Sequence, residues 1–504
     1  MEESIVKLAV PFSEEVIHLS ALDQQAQRHY AKPMLLFRVD HSGIGDPIVG
    51  HLKRALAVAL CEAPDFAATV TPLPGSTRKE LQLRLGPESG ARWRVVDYTA
   101  EPMKERWAHG TFEELAARWF PLGAGAEVAP KELIPPEFLH VPKGAEELPA
   151  LGVQVSMILG GVVVAFCWHH TVSDARGANV LLGAWAKHTR AFTLHGRADD
   201  APSRVGEGEG AGGERWRLDH GTAPPAEVAD LASCVGGDYK VDRAARSPPR
   251  REAEAHLMDR EVPLGREFRI TTWYFSAEAL AELRAALAGE GVSAATTVEA
   301  VSALLWKAVS RVRLLHPGNG SDDDDDDRNG KDGTSLFTTR LEFRARLRPP
   351  LAGDFIGNVC EPNARTRVTL AEVCSDIAPG SLATLASAIR AATEAVDDAA
   401  VRRYVGVVNA LPAVTDLTWD YHGFPGPDFG VTDLSGLDCF RTDWGPGLGG
   451  APVCLRLAYR EGGLLYLLPL DPRGGLEAQV LCEPEAAERM RHDEALGRYA
   501  VFRG

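Results

Sequence analysis

The stretch Gly161-Val162-Val163-Val164-Ala165-Phe166-Cys167-Trp168-His169-His170-Thr171-Val172-Ser173-Asp174-Ala175-Arg176-Gly177 decides how this chain is built. Its first eight residues are apolar and rich in β-branched and aromatic types, the pattern of a buried strand. Beyond Gly177, Leu181, Ala184, Trp185 and His188 recur at helical spacing between Ala178 and Arg190. The order is buried strand, histidine pair, turn, helix. Side chains alternate across a strand, so only one of His169 and His170 can face a given side. Asp174 lies four residues beyond His170. Its carboxylate can fold back to Nδ1 of the imidazole, fix the tautomer and leave Nε2 free to take a proton. It can instead bond backbone or an arginine and only brace the turn. The plainer alternative is a pair of satisfied histidines at a strand end, since short motifs match by chance. Zinc would need a third ligand and usually a fourth. Nothing nearby supplies one, so no metal is expected.

The whole chain sets the bounds. A length of 504 residues suggests two domains, and 45% hydrophobic residues are enough for full cores. The net charge of -16 argues against nucleic acid or anionic membrane as the main partner. Part of that charge is one run, Asp322 to Asp327. The eight cysteines are scattered with no C-x-x-C, which predicts a reducing compartment. The acidic Met1-Glu2-Glu3-Ser4 start has no signal-peptide core, and no apolar stretch reaches transmembrane length. A cytoplasmic protein is expected.

Along the chain, strands are expected at Met34 to Val39, Leu81 to Leu85 and Trp93 to Val96, and a helix from Ile48 to Leu60. Val153 to Ile158, Gly160-Gly161 and Val162 onward form a hairpin pattern, with the histidines on its second strand. Residues 196–251 are rich in glycine and proline and predict a crossover linker, mobile in its first part. It separates an N-terminal domain over 1–195 from a C-terminal one over 252–504. In the second half, Glu267 to Phe275 predicts a strand, and Thr296 to Glu299 a capping box opening an apolar-faced helix. The segment at about 318–333, holding the aspartate run, predicts a disordered insert. Leu336 to Arg344 predicts a strand. Arg344, Arg346 and Arg348 would share one side of an extended segment as a candidate anion site, or a surface row. Gly445-Pro446-Gly447-Leu448-Gly449-Gly450 fits G-x-G-x-x-G, but no strand-turn-helix unit surrounds it. A sharp turn is the better reading.

These residues resemble the BAHD-type acyl-CoA-dependent acyltransferases, and within them the fungal branch of the trichothecene acetyltransferases. His170-Thr171-Val172-Ser173-Asp174 matches the family's H-x-x-x-D, doubled by His169. Asp443-Trp444-Gly445-Pro446-Gly447 matches D-F-G-x-G with tryptophan for phenylalanine. Leu22-Asp23-Gln24, Ala303-Leu304-Leu305-Trp306, Leu341-Glu342-Phe343-Arg344 and Phe355-Ile356-Gly357-Asn358 resemble further family stretches. The family's T-S-W falls on Thr432-Asp433-Leu434, so its tryptophan is replaced by leucine.

The resemblance implies an α/β fold of two chloramphenicol-acetyltransferase-like domains, each a mixed sheet flanked by helices, with an active-site channel at their interface. It implies acyl-CoA, acetyl-CoA first of all, as co-substrate and no bound cofactor. The acceptor would be a hydroxyl or amine of a small molecule, a fungal secondary metabolite, and the enzyme a monomer. His170 would be the general base, with Asp174 beside it and Thr432 as oxyanion donor. His169, Gly177, Asp443, Gly445, Gly447 and Arg344 would be structural, with Arg344 as the arginine that pairs Asp443. Two rivals stand beside this: a catalytically inactive binding protein of the same fold, and a condensation-type enzyme using a carrier-bound thioester.

Overall fold

The computed structural model describes residues 1–10, 12–40, 45–121, 131–142, 145–198, 213–225, 230–236, 238–241, 269–315, 333–423, 426–458 and 463–504. The chain forms a mixed α/β structure around two main sheets. The first sheet runs in the order Glu2–Lys7, Gly90–Asp97, Leu151–Ile158, Gly161–His169, Pro33–Arg38 and Cys454–Leu457, with the short Tyr30–Ala31 strand pairing the end of the histidine strand. Its pairs are antiparallel except Gly90–Asp97 with Leu151–Ile158. The histidine strand is central, and all nine of its residues are buried. Gly160, at φ 82°, makes the hairpin turn that precedes it.

Helices Pro47–Glu62 and Ala175–His195 pack together over this sheet. Asp174 caps the second by accepting from the Gly177 amide at 2.9 Å, and Gly196 ends it in the left-handed region at φ 69°.

The second sheet runs Ala364–Thr369, Thr334–Arg340, Phe429–Asp433, Leu464–Leu467, Leu476–Cys482, Arg269–Phe275 and Val501–Phe502. Its centre is parallel, between Thr334–Arg340, Phe429–Asp433 and Leu464–Leu467. The expected capping box is formed: Thr296 and Glu299 exchange hydrogen bonds at the head of helix Thr297–Leu314, which lies in the second core. A smaller apolar cluster gathers helix Asp398–Ala410 and the segment 343–359.

The two halves are interlocked. Strand Cys454–Leu457, from the second half, adds to the first sheet beside Pro33–Arg38. The glycine turn before it delivers the chain there. Gly445 has φ 87°, and a Cβ on it would come within 2.8 Å of Arg190 Cα. A Cβ on Gly447 would meet Ile48 at 2.7 Å. Trp444 is buried edge-on to Trp185, with ring centroids 5.0 Å apart.

Two expectations are corrected here. The strand expected over Leu336 to Arg344 ends at Arg340, and Arg344–Arg346 form a single 3-10 turn. Arg344 is therefore buried, Arg346 donates to the carbonyl oxygens of Thr393 and Val396, and Arg348 is exposed, so no arginine row exists. The crossover linker expected over 196–251 includes ordered segments among its described residues. Gly213–Asp219 forms a 3-10 segment whose Arg215 is buried between the two halves. The expected mobile start of the linker and the acidic run fall on 199–212 and 316–332, outside the described residues.

Candidate active site

The strand end separates the two histidines by alternation. The His169 amide donates to Ala150 O and the His170 amide to His29 O, both at 2.9 Å, so the chain is held in extended register through the pair. His169 is fully buried, edge-on to Tyr30 and bonded through Nδ1 to Thr171 Oγ1 at 2.7 Å. His170 turns the other way and is only half-buried. Its ring lies edge-on to His29, with centroids 5.7 Å apart. The two rings do not converge, and among the described residues no group of three His, Cys, Asp or Glu is placed to hold a metal ion.

The Nδ1 partner of His170 is Asn358 Oδ1, at 3.2 Å. The orientation of that amide is settled by its other contacts. Asn358 Nδ2 donates to Asp23 Oδ1 at 3.0 Å and to His170 O at 2.9 Å, and both are pure acceptors. The Oδ1 end therefore faces the ring and requires a proton on Nδ1. Nε2 is left with its lone pair. Asp23 is itself fixed. It accepts from the Ser20 amide and hydroxyl, the Asn358 amide and the Arg215 guanidinium. Arg215 also bonds Asp65 at 2.8 Å and Val172 O at 3.0 Å.

Burial pushes the His170 imidazole down to about 4, with the charges of His29 and Arg340 acting in the same direction. The ring is therefore neutral at pH 7. Burial likewise pushes His169 well below its ordinary value.

Asp174 does not touch the His170 ring, which corrects its expected role beside the base. Its carboxylate takes a bidentate pair from Arg344, at 3.0 and 2.9 Å, and the amides of Gly177 and Val359, each at 2.9 Å. Burial would raise this carboxyl, but the Arg344 charge and the hydrogen bonds outweigh it and hold it below its ordinary value. Arg344 also donates to Phe355 O and Gly357 O. The pair thus anchors the loop that carries Asn358. Gly177 is required beneath that loop, since a Cβ there would lie 3.3 Å from Ile356 Cα and collide with Ser173 Oγ.

The expected Asp443–Arg344 pair is also corrected. Asp443 bonds Arg190 at 3.0 Å and the Gly445 amide at 2.8 Å. Arg344 is already committed to Asp174, and the glycine turn packs on the helix of Arg190. Thr432, near the end of its strand, lies opposite Arg340, whose Nη1 donates to Thr432 Oγ1 at 3.2 Å. Leu434 is buried and offers no polar side-chain group.

Sequence reasoning passed over four residues here: the roles of Asp23 and Asn358, and Arg215 and Arg340 altogether. Ser20-x-x-Asp23 is a capping pattern, which signals a local bond but not a partner some 335 residues away. Arg215 sits in glycine-rich sequence and carries no signal of its own.

The chain and its fold resemble known proteins. A family model described as the transferase family matches residues 259–492. The chain is 47% identical to acyltransferase easC of Emericella nidulans, over all of this chain and 98% of that one. It is 43% identical to acyltransferase cm3D of Cordyceps militaris over the whole of both. Among solved structures, TRI101 of F. sporotrichioides, in complex with coenzyme A and T-2, superposes with a TM-score of 0.68 at 18% identity, covering 97% of this chain and all of that one. Vinorine synthase superposes at 0.61 and 17% identity, over 99% and 98%. The fold is the two-domain one of those structures, and the chain belongs to the BAHD-type family of acyl-CoA-dependent acyltransferases.

Proposed function

We propose that this acyltransferase moves an acyl group from acyl-CoA to a hydroxyl or amine of a small molecule, with Nε2 of His170 as general base. The observation that carries this is the chain of contacts Asp23–Asn358–His170. It leaves a neutral imidazole with its lone pair on Nε2, on a rigid strand end. Nε2 takes the acceptor's proton as the acceptor's electron pair attacks the thioester carbonyl. The carbonyl electrons move onto oxygen, for which the Thr432 hydroxyl is the donor. Collapse of that adduct expels the CoA thiolate, and the imidazolium returns the proton to it. A thioester is already activated, so no covalent enzyme intermediate is needed.

Asp174 and Arg344 brace the site in this reading, and His169, Gly177, Asp443, Gly445 and Gly447 maintain its frame. The domains at 1–195 and 252–504 supply His170 and Asn358 respectively. Acetyl is the first acyl group to test and a fungal secondary metabolite the acceptor class, in keeping with the T-2 held by the TRI101 complex. All eight cysteines are free thiols, in keeping with a reducing compartment such as the cytoplasm, and among the described residues no helix is long and apolar enough to cross a membrane.

The test is thiol release from acetyl-CoA by the parent, His170→Ala and His169→Ala, with and without a chelator. His170→Ala should lose about 10²–10⁴-fold in kcat with acyl-CoA binding retained. His169→Ala should lose less activity and more stability, because its ring is core. The chelator should change nothing. Parental turnover in His170→Ala, or equal losses restored by zinc, would overturn the assignment.

A further inference from the structure

Arg340 ends one strand and Thr432 is the last residue but one of its parallel neighbour, the two in register with one another. The Arg340 guanidinium stacks over Trp419, 4.9 Å from its ring centroid, and donates through Nη1 to Thr432 Oγ1. A threonine hydroxyl has one proton and two lone pairs. One lone pair faces Arg340, so the proton must point away from the guanidinium. Among the described residues no other hydrogen bond occupies the Thr432 hydroxyl, and the residue is half-buried. Arg340 also lies close enough to His170 for its charge to lower the basicity of the ring. The guanidinium is thus the neighbour that the base and the hydroxyl share. Two positions on, Leu434 supplies no second donor, so the demand on this one hydroxyl is high.

We propose that Arg340 is a positioning residue that turns the Thr432 proton toward the acyl oxygen and polarises it as the oxyanion forms. The inference rests on the reading of Thr432 as the oxyanion donor. A hydroxyl that accepts from a cation becomes a stronger donor, because charge-assisted bonds polarise their neighbours. Arg340 itself gives up no proton. In the addition step the acceptor forms its bond to carbon while the carbonyl π pair moves to oxygen and is met by the Thr432 O–H. In the collapse that pair returns and the C–S bond breaks.

The experiment measures kcat and KM for thiol release from acetyl-CoA, with an aliphatic alcohol and an aliphatic amine as probe acceptors. The proteins are the parent, Thr432→Val, Thr432→Ser, Arg340→Met, Arg340→Lys and the Thr432→Val/Arg340→Met double variant, each checked for parental melting. Thr432→Val should lose about 10²–10³-fold in kcat with KM little changed. Arg340→Met should lose kcat in the same sense, and the double variant should be no worse than the poorer single. Thr432→Ser and Arg340→Lys should recover much of the loss. The acid limb of kcat/KM should move to higher pH in Arg340→Met and stay in place in Thr432→Val. Parental kcat in Thr432→Val would remove the oxyanion reading itself. A loss in Thr432→Val beside parental kcat in Arg340→Met, or losses that multiply in the double variant, would keep that reading and overturn the role of Arg340.

Discussion

Asp174 and Asp443 each belong to a signature segment and each hold an arginine, yet the two pairs sit in opposite settings. The Asp174–Arg344 side chains are 8% and 3% exposed, and Asp443–Arg190 56% and 51%. Asp174 accepts four hydrogen bonds and ties the head of one helix to a loop of the other half. Asp443 trims a turn at the surface. A buried ion pair adds little net stability over an apolar substitute, but breaking one strands the partner charge. An exposed pair is worth about 0–1 kcal/mol. The rigidity of the second segment comes instead from Trp444 and from glycines that admit close backbone approach. Two motif aspartates can thus be structural for different reasons and to very different degrees.

That contrast can be broken by substitution. Asp174→Ala leaves the buried Arg344 with only the half-exposed Glu342 carboxylate, 3.0 Å away, as counter-charge, and frees the 355–359 loop. Thermal or urea unfolding should show a loss of about 3–5 kcal/mol, with activity falling because Asn358 moves. A loss under about 1 kcal/mol would mean that the two pairs are alike. Asn358→Leu should do the reverse, sparing more of the fold and striking the chemistry. A buried hydrogen bond costs about 1–3 kcal/mol to remove, which corresponds to about 5–150-fold in rate. Unchanged kcat in that variant would return the imidazole's orientation to another group. Asp443→Ala should be mildest, at most about 1 kcal/mol by unfolding and near-parental in kcat. A stable but inactive Asp443→Ala would assign that carboxylate to the reaction.

The elements of the first sheet were legible because their signals are local. The apolar run before His169, the Gly160 turn and the helical spacing after Gly177 each depend on a few neighbours. The alternation that parts His169 from His170 follows from strand geometry alone. The partners of the motif residues were not legible in the same way. Asp174 could face the ring or an arginine, and the sequence holds no information on distance between residues 174 and 344. The arginine row failed because its strand stops at Arg340, where burial of the Arg344 charge against Asp174 wins over extended propensity. Arg215 was hidden because composition describes the average of a segment and not the one residue that reaches inward. Asp23 and Asn358 were visible as family-like stretches, but their bond to each other exists only in the assembled fold.

The central claim is that His170 is a neutral base protonated on Nδ1, held so by Asn358 and not by Asp174. The most direct test is a pH titration of ring ¹⁵N signals in histidine-labelled protein, with His170 assigned through His170→Gln. The proton is predicted on Nδ1, with Nε2 bare, from pH 8 down to about 5, titrating near the depressed value of about 4. Because that value lies below the unfolded histidine's, about 6.5, the unfolded chain binds the extra proton first. Stability from this group should therefore be complete above about pH 6.5 and decline as pH falls toward 4. In Asn358→Leu the preference for Nδ1–H should weaken while the ring remains neutral at pH 7. A proton on Nε2 in the parent, or an imidazolium that persists to pH 7, would contradict the account.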